Sequence, residues 1–293
     1  MEAMNDMSIF DLFKKKSNLV PEGLVSSLAR NEIVMSVDTD AGAVPPQASK
    51  IGGKPWLPQN FQWPVYESDE MRSLSFLCQI NLEEVKSYDR DGVLPSKGML
   101  YFFYECDACC WGFDPEDKGC ARVFYFEDIE DFVPTQWPED IEEDYIVPEM
   151  AVRFKAQPSY PNYEELEYHS SMECDWEDYD EALEKLGIDM DAENHKLLGY
   201  ADIIQNEMLS ECERVTRGIY CGDASGYQDA SDDEEAAIQR GAKDWILLLQ
   251  LTTLENEDWE WMWGDCGMLY FYIKRQDLAA RRFENAWFSL QCG

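Results

Sequence analysis

The chain has 293 residues, 45% hydrophobic and 13% aromatic, enough for a large core and too many for a disordered chain. Against 24 Lys and Arg stand 60 Asp and Glu, a net charge of −36. Such a surface repels phosphate backbones and anionic lipid, which excludes nucleic acid and membranes as partners.

In chain order, residues 1–30 read as an N-terminal helical segment, with helices expected at Ser8–Lys15 and Pro21–Arg30. Asp6 and Asp11 precede Lys14-Lys15-Lys16, the reverse of a secretory signal, so a cytoplasmic location is expected. Residues 31–293 read as a single α+β domain. Strands are expected at Glu32–Val37, Phe76–Ile80, Gly98–Tyr104, Ala121–Phe126, Met150–Ala156, Leu247–Leu251, Gly267–Ile273 and Ala286–Gln291. The echoed ones among them are short, rich in Tyr, Phe, Leu and Ile, and bounded by Gly or acidic turns. Leu100–Glu105 and Arg122–Phe126 flank a loop and should pair as a hairpin. Helices are expected at Trp176–Leu186, Ser231–Gly241 and Gln276–Arg282; Ser231 with Glu234 forms a capping box, and Gly187 and Gly241 are stops. Pro45-Pro46, Pro55–Pro64 and Pro134–Pro148 read as extended connections. Strands and helices do not alternate, so the sheets should be mainly antiparallel.

An internal echo organises the chain. Gly98-Met99-Leu100-Tyr101-Phe102 returns as Gly267-Met268-Leu269-Tyr270-Phe271. Upstream, Phe76-Leu77-Cys78-Gln79-Ile80 is answered by Leu247-Leu248-Leu249-Gln250-Leu251, and Lys50-Ile51-Gly52-Gly53 by Lys196-Leu197-Leu198-Gly199. Three blocks in one order read as a duplication into two pseudo-symmetric halves, about 31–157 and 190–293. Gln79 and Gln250 are polar residues inside apolar strands. They serve either to satisfy backbone groups or to contact a ligand.

The same blocks carry a resemblance. Ser49-Lys50-Ile51-Gly52-Gly53-Lys54-Pro55-Trp56-Leu57-Pro58, then Trp63-Pro64, resemble the opening of the bacterial YwqG family, defined by a domain of unknown function. Ser75–Leu82, Gly98–Tyr104, His195–Tyr200, Trp263–Gly267 and Trp287–Cys292 are similar to its later blocks. The resemblance spans roughly residues 25–293. It implies one α+β body with internal pseudo-symmetry, and it carries no activity and no catalytic residues. The acidic loops, the cysteines at 106–110 and the stretch 203–244 depart from the pattern.

Most chemical motifs have plain readings. Cys106, Cys109, Cys110 and Cys120 lack two C-x2-C knuckles, so free thiols are expected in place of a zinc site, and no metal or cofactor is expected elsewhere. Ten free cysteines suit a reducing compartment. Gly52-Gly53 reads as a turn, because no phosphate-binding pattern accompanies it. Only His169 and His195 are available as catalytic bases, and both read as core or cap residues. Residues 127–149 hold ten acids and residues 164–181 nine, with no Lys or Arg in either run. A solvated face is the plain reading, and docking of a basic protein is the alternative.

Two functions remain open. The first is a non-catalytic acidic module that binds a basic protein, with an immunity-type role suggested by the resemblance and with Glu139, Asp140, Glu142 and Glu143 as contacts. The second is an enzyme or small-ligand binder in the cleft between the halves. Its candidate contacts are Gln79, Gln250, Asp265 and the period-two run Trp259, Trp261 and Trp263.

Overall fold

A computed structural model describes residue 20 and residues 22–39, 42–68, 71–107, 110–190, 194–228, 230–255 and 259–293. The helix expected at Ser8–Lys15 lies outside them. Ten strands form one sheet: β1 (Arg30–Asp38), β2 (Lys50–Ile51), β3 (Ser75–Asn81), β4 (Met99–Tyr104), β5 (Ala121–Phe126), β6 (Met150–Ser159), β7 (Lys196–Leu198), β8 (Trp245–Thr252), β9 (Met268–Lys274) and β10 (Trp287–Gln291). Their spatial order is β10-β9-β8-β7-β1-β6-β2-β3-β4-β5, and every pairing is antiparallel. The fold is thus mixed α+β, as the element pattern implies. The sheet curls until its edge strands β5 and β10 approach, giving a nearly closed barrel. Leu290 N donates to Trp111 O at 2.9 Å near one end of this seam, and Tyr125 meets Phe283 at 5.3 Å near the other.

Both faces of the central strands are buried, which is why they read as unbroken apolar runs. In β9, Leu269, Phe271 and Ile273 join the main core, while Met268, Tyr270 and Tyr272 belong to a second cluster. The helix that contributes Leu209, Cys212 and Val215 to that second cluster is α3 (Leu209–Thr216). It lies in the stretch 203–244, where only the later helix is anticipated. Over the first half the outer face is covered differently: Phe61 and Trp63 from the proline-rich connection pack on Phe103. Each large apolar side chain buried this way contributes about 2–3 kcal/mol.

The other helices named here are α1 (Glu22–Ser27), α2 (Trp176–Lys185), α4 (Asp232–Ala242) and α5 (Arg275–Ala279). Two expected spans are shortened. The first helix cannot reach Arg30, because Arg30 already pairs with Ser159 in the sheet. The last stops at Ala279, ahead of Arg281, which has a left-handed φ of 57°. The expectation of ten free cysteines is also corrected: Cys110 and Cys120 form a disulfide, because the 105–120 loop folds back on itself. Cys109 lies outside the described residues.

The registers repeat between the two ends of the sheet. Lys50 pairs with Gln79 and Gln79 with Tyr101; Lys196 pairs with Gln250 and Gln250 with Tyr270. A bulge falls between Phe76 and Cys78 in β3 and between Leu247 and Leu249 in β8. The side-chain bonds repeat as well. Gln79 Oε1 accepts from Trp56 N and Gln250 Oε1 from Asp202 N, both at 2.9 Å. The Tyr101 hydroxyl donates to Trp56 O, and that of Tyr270 to Asp202 O. Buried Lys50 meets Glu149 at 2.6 Å, and buried Lys196 meets Glu32 at 3.1 Å. After each lysine strand the chain turns through paired left-handed residues, Gly52-Gly53 and Leu198-Gly199. An added Cβ at Gly53 would fall 2.7 Å from the Cβ of Glu149, and one at Gly199 2.6 Å from that of Glu32, so both positions demand glycine.

Each glutamine is a clamp that ties the loop after its lysine strand to the neighbouring strand. Gln250→Leu is expected to destabilise by about 2 kcal/mol, since it strands half-buried backbone groups at Asp202 and Asn194. Gln79→Leu should cost about the same. Urea denaturation measures both, and a loss below about 1 kcal/mol in either would rule out the clamp role.

Candidate functional site at the seam of the barrel

Where β5 and β10 approach without pairing, a cleft of about 780 Å³ opens beside the C-terminal end of α3. Its walls come from distant parts of the chain: Pro115–Arg122 at the start of β5, Glu213–Gly218 from α3, Trp245 of β8, Lys274 of β9, and Trp287 and Phe288 of β10. The 111–113 segment seals one side. Trp287 Nε1 donates to Gly112 O at 2.8 Å, and Cys221 N donates to Phe113 O at 2.9 Å. The Cys110–Cys120 bond ties this segment to the head of β5. Asp117 lies beside both sulfurs and accepts from Gly112 N at 2.8 Å. With the sulfurs joined to each other, neither is a thiolate ligand for a metal.

Glu213 organises the cleft wall. Its carboxylate accepts from Trp245 Nε1 at 2.9 Å and from Arg217 Nε at 2.8 Å, and it meets Lys274 Nζ at 2.7 Å. Burial works against its charge, but the bonds from Lys274, Trp245 and Arg217 outweigh that cost and hold the carboxyl below the usual range. Gly241 of α4 lets that helix press on the carboxylate, since any Cβ there would overlap it. Lys274 in turn lies 5.2 Å from the centre of the Trp245 ring. Asp277 plays a similar part on the other wall, binding Arg282 Nε at 2.8 Å and Asn285 Nδ2 at 3.0 Å. The arrangement can hold charge in fixed positions around an aromatic floor.

The residues singled out from sequence lie elsewhere. Gln79 and Gln250 are wholly buried; each amide donates twice and accepts once within the fold, which leaves no atom facing a ligand. Trp261 and Trp263 do come together, with ring centres 6.1 Å apart, around a hollow of about 160 Å³ that Trp259 does not line. That volume is below the range typical of ligand sites, about 300–1,000 Å³. Trp263 Nε1 donates to Thr252 O at 2.9 Å, and Trp259 packs against the main core. Asp265 is exposed on a turn outside the hollow. Glu139, Asp140, Glu142 and Glu143 are all exposed, and Asp140 accepts from Ser73 N at 3.0 Å. His195 accepts from Thr252 N at 3.1 Å, a backbone role.

A second group of titratable side chains is sealed from solvent. Glu165 is 2% exposed, and its Oε2 lies 3.6 Å from His169 Nε2. Burial, reinforced by Glu207, pushes the Glu165 carboxyl up to about 8, while burial and then Arg30 push His169 down to about 3. Both groups are therefore neutral at pH 7, and the contact is not an ion pair. Arg30 Nη2 lies 3.1 Å from His169 Nδ1. Because neither Glu165 nor its neighbour Tyr200 reaches solvent, this group has no route to a substrate.

A sequence profile described as a domain of unknown function (DUF1963) matches residues 49–292. No curated protein matches the chain. Among the described residues no helix is long and apolar enough to cross a membrane.

The two neutral groups set a pH dependence. Glu165 is protonated when folded and ionised when unfolded between about pH 4.5 and 8, so its stabilisation is full below 4.5 and is lost as pH rises through 8. His169 acts in the opposite sense: its contribution is present above 6.5 and is lost as pH falls towards 3. Glu165→Gln should therefore gain on the parent in denaturation midpoint as pH is raised from 5 to 8. A difference that stays flat over that range would show that Glu165 is ionised in the folded protein.

Proposed function

Since the chain belongs to the DUF1963 family, whose description assigns no chemistry, its role has to come from geometry. We propose that it is a non-catalytic binding protein that holds a small ligand in the cleft between β5 and β10. The observation that carries this reading is the cleft itself, whose volume of about 780 Å³ lies well within the range of ligand sites. Its buried carboxylates Glu213 and Asp277 are already engaged by Lys274, Arg217 and Arg282, which favours binding over proton-transfer chemistry.

The two halves are read as copies of one ancestral unit. The repeated registers, bulges, clamp bonds and lysine–glutamate pairs support this, and they make β6 the counterpart of β1. The boundary between the copies then falls between Phe126 and Met150, earlier than the echo alone suggests, and the cleft lies where the last strand of each copy meets the other. The ordered YwqG-like blocks from Ser49 onward support the narrower family name. Seven described cysteines that remain free support a cytoplasmic location, and the Cys110–Cys120 bond weighs against it.

A second reading keeps the acidic surface as a docking face for a basic protein. Its support is the shared exposure of Glu139, Asp140, Glu142 and Glu143. Reversing all four charges should slow association with such a partner and change stability little, the exposed bond from Ser73 N to Asp140 being lost.

The cleft is tested by filling it. Ala286 is a half-buried lining residue, and Ala286→Trp places a large ring in the opening. In a thermal-shift screen of fragments, a ligand at one hundred times its Kd stabilises by about 2.7 kcal/mol, a shift of several degrees. Fragments that shift the parent are expected to lose their effect on the variant. If every active fragment shifts both proteins alike, the cleft is not the site.

A further inference from the structure

We infer that the ligand of the seam cleft is a small organic anion, a carboxylate or phosphate on a flat apolar body, and that Lys118 and Arg122 receive its charge. This rests on the reading of the cleft as a ligand site. The lining holds five bases (Lys118, Arg122, Arg217, Lys274 and Arg282) against three acids (Glu213, Asp277 and Glu284), a surplus of two positive charges. The chain as a whole stands at −36. A separate hollow shows what that bias ordinarily produces: the surface between Tyr163 and Asp178, about 640 Å³, is lined by five acids (Glu164, Glu167, Glu173, Asp175 and Asp178) and no base. The positive cleft therefore runs against the composition of its own protein.

Most of the cleft's charge is spoken for, which locates the surplus. Glu213 holds Arg217 and Lys274, and Asp277 holds Arg282, which leaves Lys118 and Arg122 against the single exposed acid Glu284. Lys118 and Arg122 are both exposed, and no carboxylate among the described residues pairs with either. They stand four residues apart, on the turn that follows Pro115–Asp117 and on the edge strand β5. With 60 acids in the chain, two exposed cations without a carboxylate partner among the described residues, both lining one cavity, form a site complementary to a negative group. Arg122 offers a planar fork suited to carboxylate or phosphate, and Lys118 adds a point charge.

The rest of the lining sets the body of the ligand. The indole N–H groups of Trp245 and Trp287 are already used, by Glu213 and by Gly112 O, so both rings can offer only apolar surface. Glu213 is a positioning residue: it fixes Lys274 against Trp245 and leaves that pair with a residual positive charge once Arg217 is counted.

The test uses two fluorophores of similar shape on the full-length protein. One is the anionic 8-anilinonaphthalene-1-sulfonate and the other the neutral N-phenyl-1-naphthylamine. The parent should bind the sulfonate at one site, more tightly than the amine. Lys118→Gln combined with Arg122→Gln should weaken the sulfonate at least tenfold and leave the amine unchanged. Both side chains are exposed, so an unaltered melting temperature is expected and serves as the folding control. Equal sulfonate affinity in parent and variant overturns the anion assignment, as does a sulfonate no tighter than the amine. If the amine still binds and is displaced by Ala286→Trp, the cleft remains a ligand site of another chemistry. If neither fluorophore binds the parent, the cleft reading fails and the anion assignment with it.

Discussion

A ten-stranded sheet has two edges, and the way this chain deals with them determines the rest of the molecule. An exposed edge offers a row of unpaired backbone groups to any other strand. Curling brings β5 and β10 face to face, yet they are not joined by a ladder. The 111–113 segment bonds to β10 on one side, and the turn around Phe283 packs on β5 at the other. The space left between these closures is the cleft. The site is thus what remains when a barrel is sealed with loops in place of its last ladder.

Sheet register depends on a small number of buried polar groups. Lys50 and Lys196 are each 2% exposed, and each meets a glutamate from the central pair of strands or its threshold. An unpaired charge at either position would cost several kcal/mol, so a slip of one residue is strongly disfavoured. The glutamines do the same for the loops. Together they explain how two halves with different outer coverings, proline-rich connections on one and α3 on the other, keep matching strands beneath.

Much of this was legible in the amino-acid pattern, and the reason is local. The Gly98 and Gly267 blocks are strands that pack at equivalent depths, so the same residue types recur. The glutamines stood out because an amide inside an apolar strand has to bond to something. The equivalent placing of β1 and β6 left no such trace: Arg30–Asp38 and Met150–Ser159 pair side by side at the middle of the sheet and share almost no sequence. The cleft was hidden for a different reason. Arg122, Glu213, Trp245, Lys274 and Trp287 lie far apart along the chain, and no one motif holds two of them. One signal was available, the rarity of bases in so acidic a protein, and it acquires meaning only once the fold gathers them. The tryptophan run was misleading because period two marks a shared face without saying whether that face meets a ligand or the core.

The pairing at the middle of the sheet also governs the order in which the molecule can be made. β1 lies between β6 and β7, so Arg30 is not paired until Ser159 has left the ribosome, and Glu32 waits for Leu198 as well. During synthesis the early strand therefore remains an apolar segment without neighbours while more than one hundred further residues emerge. Contacts so distant in sequence make folding slow as well as late. The abundant like charge keeps such nascent chains apart in the meantime. The acidity that colours the finished surface thus also protects the chain before that surface exists.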